Sequence, residues 1–394
     1  MDEKWRALAL IAVAELLAMS LWFSASAVGP ELAVRWGLSG TEEALLTSAV
    51  QIGFVVGALV SAALTLADTV QPRALFAGSA VAGALATVGV ALGDAFLPAL
   101  GLRFLTGVAL AGVYPPGMKL AAGWFKRGRG IAIGTVVGAL TVGSALPHLL
   151  RAVGGIGDPF PVLYGAAALA VVGGVLALRV RPGPYQAPAA PFDPAATLRV
   201  VRDRPTLLAD LGYFGHMWEL YAVWTWIPAY VLAATGDAEL AALVAFGTIA
   251  MGGVGSFTAG ALADRIGRTT VTSGSMVASG AACLLAVPAF GWPVLALVPF
   301  LLLWGVVIVA DSAQFSACVT ELAEESYVGT ALTLQTAVGF LLTIASIQLT
   351  PVVAGAVGWQ WAFAPLAMGP ALGTLAMLRL RALPAAAKLA GGRG

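Results

Sequence analysis

GALADRIGR, Gly260 to Arg268, is a short charged stretch between two apolar runs, at 239–262 and 270–289. Asp264, Arg265 and Arg268 need water or partners, so the chain surfaces here, and Gly267 among the charges suits a tight turn. Each flanking run has about 20 residues, which is what a helix needs to cross a ~30 Å hydrocarbon core. The arrangement occurs once before: LTLADTVQPR, Leu64 to Arg73, separates apolar runs at 44–66 and 74–93. Asp264 follows Asp68 by 196 positions, and such a spacing predicts two halves built to one design.

Eight further apolar runs lie near 7–29, 96–121, 130–151, 161–179, 206–234, 292–315, 328–350 and 360–380. With 59% hydrophobic and 10% charged residues among 394, and a mean hydropathy of +0.91, the chain falls far below the roughly 25% charge of a soluble domain. It reads as an all-α membrane protein with twelve transmembrane helices. The N-terminus imitates a secretion signal, with Lys4 and Arg6 before an apolar run and Ser24-Ala25-Ser26-Ala27 after it. Glu15 interrupts that run and Met19 and Trp22 follow, so it is read as a retained first helix.

Basic residues set the expected orientation. With the N-terminus in the cytoplasm, only Arg35 and Arg151 fall outside, Arg103 and Lys119 lie within the fourth helix, and every other lysine and arginine faces inward. Both termini are then cytoplasmic, in a cell (inner) membrane. The longest inside loop, rich in proline and alanine, divides the chain. Residues 1–180 are expected to form an N-terminal six-helix bundle and 206–394 a C-terminal one. Between them, 181–205 is a cytoplasmic linker with a short amphipathic helix, capped by Asp193 ahead of Pro194. Gly57 and Gly253 repeat at 196 positions, and Pro30 with Pro228 and Gly107 with Gly305 at 198. Two such halves place a substrate site at mid-membrane between them.

GALADRIGR resembles the cytoplasmic loop signature of the major facilitator superfamily, Gly-x-x-x-Asp-Arg-x-Gly-Arg, at Gly260, Asp264, Arg265, Gly267 and Arg268. The resemblance implies a gate that locks one conformation, with the carboxylate accepting bonds from a neighbouring helix N-terminus. The first-half copy keeps Asp68 and Arg73 but has Leu64, Thr69, Gln71 and Pro72 at the other signature positions. RFLTG, Arg103 to Gly107, is similar to the family's Arg-x-x-x-Gly motif, which implies a part for Arg103 in proton coupling. In the fifth helix Gly130, Gly134, Gly138, Gly143 and Pro147 do not reproduce the spacing of the family's antiporters, and small residues four apart mean close helix packing. Helices four and seven loosely resemble those of the nitrate/nitrite and small-anion porters. That group's anion-binding arginines in helices two and eight are absent here, which argues against nitrate.

Ionisable residues at membrane depth normally face partners or a watery cavity. In GYFGHMWELYAVWTWIP, Gly212 to Pro228, His216 and Glu219 share a helix face. Glu219 lies about 20 Å from the inner boundary at ~1.5 Å per residue. Burial favours the neutral carboxyl, so this pair is expected either to carry a proton or to rigidify the helix as a polar cluster. Glu15 and Arg103 sit within about 10 Å of one another in depth, either as a permanent pair or as one that opens on protonation. Asp210 and Asp311 are placed near the inner boundary as structural residues. Trp22, Met19, Tyr114, Tyr213, Trp218 and Tyr221 are expected to line the cavity, with Trp224 and Trp226 in the interfacial belt. Tyr114-Pro115-Pro116-Gly117 must break the fourth helix.

The reading is a secondary transporter of a small organic or anionic solute, working by alternating access with a proton as coupling ion, as a monomer with no nucleic-acid partner. A multidrug-type efflux permease and a non-transporting, transporter-like receptor are the alternatives. There is no Walker loop, HExxH or nucleophile elbow, so no enzyme activity is expected, and neither a metal site nor a cofactor.

Overall fold

The computed structural model describes residues 2–64, 66–125, 129–185, 197–324 and 327–394. The described secondary structure is helical throughout. In the first half α1 is Glu3–Met19, α2 Gly40–Ala63, α3 Pro72–Leu92, α4 Phe96–Ala122, α5 Arg129–Leu150 and α6 Phe160–Leu178. In the second half α7 is Arg204–Thr235, α8 Ala238–Ile266, α9 Arg268–Ala289, α10 Val294–Leu322, α11 Val328–Val357 and α12 Trp359–Arg381. Ten of these are long and apolar enough to cross a membrane. The other two are α1, only 17 residues before it breaks, and α7, whose His216, Glu219 and aromatic residues dilute its hydropathy. Both are packed into the bundle, with Ala14, Ala18, Met217 and Val223 in one core. A short helix at Thr197–Arg202 precedes α7 and buries Val200. The expected cap at Asp193 and Pro194 lies outside the described residues.

Both chain ends share one face of the bundle, here the terminal face. There Trp5 stacks edge-on against Phe125 with ring centres 5.2 Å apart. On the far face Arg35 pairs with Asp94 at 2.6 Å and the buried Arg151 with Glu31 at 2.8 Å.

The internal repeat appears in packing. A Cβ on Gly107 would stand 2.1 Å from the Val50 carbonyl oxygen, and one on Gly305 would stand 1.9 Å from that of Thr248. Glycine and partner both advance by 198 positions, so α4 lies on α2 as α10 lies on α8. The Gly57–Gly253 coincidence has a different meaning: Gly57 packs on α4, whereas Gly253 packs on Gly138 of α5, across the two halves. Pro30 and Pro228 also diverge, one opening a separate helix and the other lying inside unbroken α7.

Among the described residues α12 opens with two short 3-10 helices, Trp359–Trp361 and Ala364–Ala367, before its α-helix Met368–Arg381, and α1, α4 and α10 break within the bundle. In α4 the break falls between Leu110 and Tyr114, where Pro115 and Pro116 lack the N–H that would continue the ladder. In α10 it falls at Asp311, between Ala310 and Ser312. Ser312 follows Tyr114 by 198 positions, so the two breaks are repeat-related. In α1 no proline or glycine is involved. The helix ends at Met19 and restarts at Ser24, where Ser20 Oγ donates to the carbonyls of Leu17 at 2.6 Å and Ala166 at 3.1 Å.

Candidate functional site

The two halves enclose a cavity of about 120 Å³. On α7 its wall is formed by Tyr213, Met217, Leu220, Tyr221 and Trp224, one stripe at helical spacing. Trp22, Phe54 and Tyr114 face them from the first half, with Phe340 on α11. Polar groups come from Thr141, Ser312, Ser316 and Thr336. Among the described residues, no lysine, arginine, aspartate or glutamate lines it.

Toward the far face the cavity is shut by rings from both halves. Trp22 lies 5.1 Å from Phe54, 5.7 Å from Tyr221 and 5.5 Å from Phe340, measured between ring centres. Phe54 meets Phe340 at 4.8 Å. Beyond this plug, Gln348 donates to Ser48 Oγ at 3.4 Å, and Pro351 abuts Gly40. The indole N–H groups of Trp22 and Trp224 are buried at the cavity without an acceptor.

Four of the six expected lining residues, Trp22, Tyr114, Tyr213 and Tyr221, are in the wall. Met19 is fully buried in the core instead. Trp218 points sideways into an apolar groove between α7 and α12, because it sits about 140° around the helix from Tyr213. Trp224 and Trp226 are not belt residues: both are buried, Trp224 in the cavity wall and Trp226 donating to the Ile347 carbonyl at 2.9 Å.

His216 and Glu219 are fully buried, but they turn away from the cavity into the second half. Glu219 Oε2 accepts from Ser279 Oγ at 2.8 Å and Cys283 Sγ at 3.4 Å, and Trp304 Nε1 donates to that serine at 3.1 Å. His216 Nδ1 lies 2.9 Å from Asp311 Oδ1, an ion-pair distance without hydrogen-bond alignment. Asp311 is thus no boundary residue. It is 1% exposed, carried inward by the break in α10, directly behind the wall residues Val309 and Ser312. Applying the 198-residue repeat to the Tyr114-Pro115-Pro116 break would have located it.

Asp210, also expected at a watery boundary, is 4% exposed. It accepts from Gln335 Nε2 on α11 at 2.9 Å, and Gln335 Oε1 accepts from Ser316 Oγ of the cavity wall at 3.1 Å.

Glu15 and Arg103 do not pair. Arg103 donates to the carbonyls of Leu46, Leu21 and Trp22 and to Ser24 Oγ, at 3.3, 3.1, 2.5 and 3.1 Å. Its donors are taken up by carbonyls that the break in α1 frees, nearer the far face than Glu15. Glu15 lies against Gly117, where a Cβ would stand 2.3 Å from Oε2, and both its carboxylate oxygens lack hydrogen-bond partners among the described residues.

In the signature loop Gly267 takes φ 97, a value that favours glycine, and a Cβ there would meet the Arg393 carbonyl oxygen at 2.3 Å. Gly260 has open space beside it and needs no close approach. Arg268 holds Glu321 at the end of α10 through two bonds, of 2.9 and 2.6 Å, and Gln314 at 2.8 Å. The exposed Asp264 carboxylate lies 3.8 Å from Arg268. Arg265 is exposed. In the first-half copy Arg73 Nε donates to Gln71 at 3.2 Å, while the Asp68 side chain falls outside the described residues.

The family model described as Major Facilitator Superfamily matches residues 10–346. No curated protein matches the chain as a relative. Among solved structures it is similar to the nucleoside transporter NupG in a D323A mutant form, with a TM-score of 0.74 and 15% identity over 95% of this chain and 99% of that one. A second NupG structure gives a TM-score of 0.71 at 15% identity, covering 96% and 99%. At that identity the likeness speaks for the fold.

Proposed function

The chain belongs to the major facilitator superfamily, and from that premise we propose that it is a proton-coupled secondary transporter, monomeric in a cell (inner) membrane, that carries a small neutral organic solute by alternating access. The observation that carries this reading is the cavity itself: both halves build its wall, and interleaved rings from both halves close it toward one face. An arrangement of that kind opens when the halves rock apart around a fixed site. Neither Arg103 nor His216, the buried side chains that could meet an anionic solute, is among the wall residues. Aromatic faces, the hydroxyls of serine, threonine and tyrosine side chains and two indole N–H groups without acceptors suit an uncharged solute with a planar face and polar edges instead. NupG is a nucleoside transporter, and nucleosides therefore belong in the first panel of solutes.

The coupling proton is assigned to Glu219 with His216 and Asp311. A carboxylate at membrane depth is costly, and the cluster lies behind Val309 and Ser312, so its charge state bears on the cavity wall. Sidedness follows the distribution of lysine and arginine, with the terminal face cytoplasmic. In this assignment Arg268 with Glu321 and Gln314 is the gate contact of the cytoplasmic face.

Purified protein in liposomes bearing an inward-acid pH gradient tests this. Uptake or efflux of a panel solute is expected to respond to the gradient in the natural protein and to lose that response in Glu219→Gln while flux persists. Gradient-driven transport by Glu219→Gln at the natural rate removes Glu219 from coupling. Binding of solutes with no flux at all makes the protein a receptor.

A further inference from the structure

We propose that Asp210 sets the hydrogen-bonding sense of the cavity: through Gln335 it makes the Ser316 hydroxyl an acceptor, so that the site selects solutes bearing an N–H or O–H donor. The proposal rests on the solute reading above and adds to it a rule of selection and a residue that controls it.

An ionised carboxylate only accepts hydrogen bonds, whereas a carboxamide has one accepting and one donating end. Asp210 takes the Gln335 amide N–H₂ at 2.9 Å, which leaves Gln335 Oε1 facing Ser316 at 3.1 Å. The opposite amide orientation would set Oε1 against the carboxylate. The hydroxyl has one proton, and that proton is committed to Gln335, so only its lone pairs remain for the cavity that Ser316 lines. Gln335 is fully buried and Asp210 nearly so, and competing water is largely kept from the chain.

Protonation of Asp210 lifts this constraint, because the neutral acid can donate as well as accept. The neutral acid can donate to Oε1, the amide turns its N–H₂ toward Ser316, and the serine proton is freed toward the cavity. Apart from the O–H bond formed on Asp210 by a proton from solution, only hydrogen bonds change. Asp203, near the start of α7, and Tyr213, on the same helix, are the ionisable groups whose charge acts on or responds to Asp210. From α11 it meets the neutral Gln335, which in turn meets Ser316 of α10. The relay thus connects a proton at Asp210 to the chemistry the wall offers a solute, separately from the Glu219 cluster.

Phenol and anisole are of a size for the cavity and differ in the single donor. Their affinities can be read from quenching of the intrinsic tryptophan fluorescence of the full-length protein in nanodiscs, with Trp22 and Trp224 in the wall. At pH 8 phenol is expected to bind about 5-fold more tightly than anisole, the worth of one hydrogen bond. Ser316→Ala brings the ratio to about one. Asp210→Asn, whose amide mimics the neutral acid, and Gln335→Leu each lower it toward one, and in the natural protein the ratio falls as pH is lowered while in Asp210→Asn it does not move. A residue that only supported folding would weaken both probes alike and leave the ratio unchanged. If the probes bind with a ratio untouched by these substitutions, the relay is wrong and the transporter reading stands. If neither probe binds, the neutral-solute reading fails and the relay with it.

Discussion

Arg103 and Glu15 show how differently one buried charge and another are accommodated. Arg103 gives donors to three carbonyls and a serine hydroxyl around the break in α1. Removing them leaves several buried acceptors unsatisfied at once. Arg103→Met is expected to cost about 3 kcal/mol or more and to lower the melting temperature of the purified protein sharply. Among the described residues Glu15 has no hydrogen-bond partner for either oxygen, so exchange of its carboxyl for an amide removes no hydrogen bond seen to hold the fold. Glu15→Gln should melt at or above the natural protein's temperature, and a fall matching that of Arg103→Met would mean that the carboxylate has a partner essential to the fold. The place of Arg103 in RFLTG implies a part in proton coupling and says nothing of what the guanidinium touches. Its true partners were not legible, because they are backbone carbonyls exposed by a helix break that neither proline nor glycine announces.

At the level of the helix, glycine placement decides how closely neighbours approach. Gly107 lets α4 touch α2 and Gly305 lets α10 touch α8, with the added Cβ in each case about 2 Å from a backbone oxygen. Neither backbone can yield as a side chain would, so Gly107→Ala and Gly305→Ala are each expected to destabilise by roughly 1–3 kcal/mol through overpacking. Gly101, on the same α4, has nothing within 4 Å of an added Cβ. Gly101→Ala should be neutral or slightly stabilising, since alanine is the better helix former, and a melting-temperature series of the three variants separates these cases. The contrast also marks what spacing conveys. Gly107 and Gly305 recur 198 positions apart because both make the same helix contact, while Gly57 and Gly253 recur without sharing one. Only the neighbouring helix distinguishes the two.

Across the whole molecule, α2 and α11 close the far face, α5 meets α8 across the same boundary, and the ring plug lies between. If transport requires these helices to part, joining them stops it. With cysteines introduced by Ser48→Cys and Gln348→Cys, oxidation is expected to arrest transport and reduction to restore it; undiminished transport by fully joined protein would show that α2 and α11 need not separate. The natural Cys283 and Cys318 are buried and free and serve as the single-reagent control. The sequence alone determined that this chain lives in a membrane, where its apolar runs begin and end, that its design repeats, and which loop carries the family signature. Those properties follow from local hydrophobicity, length and spacing, which survive without knowledge of neighbours. The tertiary structure decided which face of each helix meets the cavity. Glu219 and His216 turned into the second half, Asp311 moved from boundary to core, and Trp224 moved from belt to cavity wall. A helix's rotation about its axis, and the depth at which it breaks, are set by the helices packed around it; hydropathy is almost blind to both.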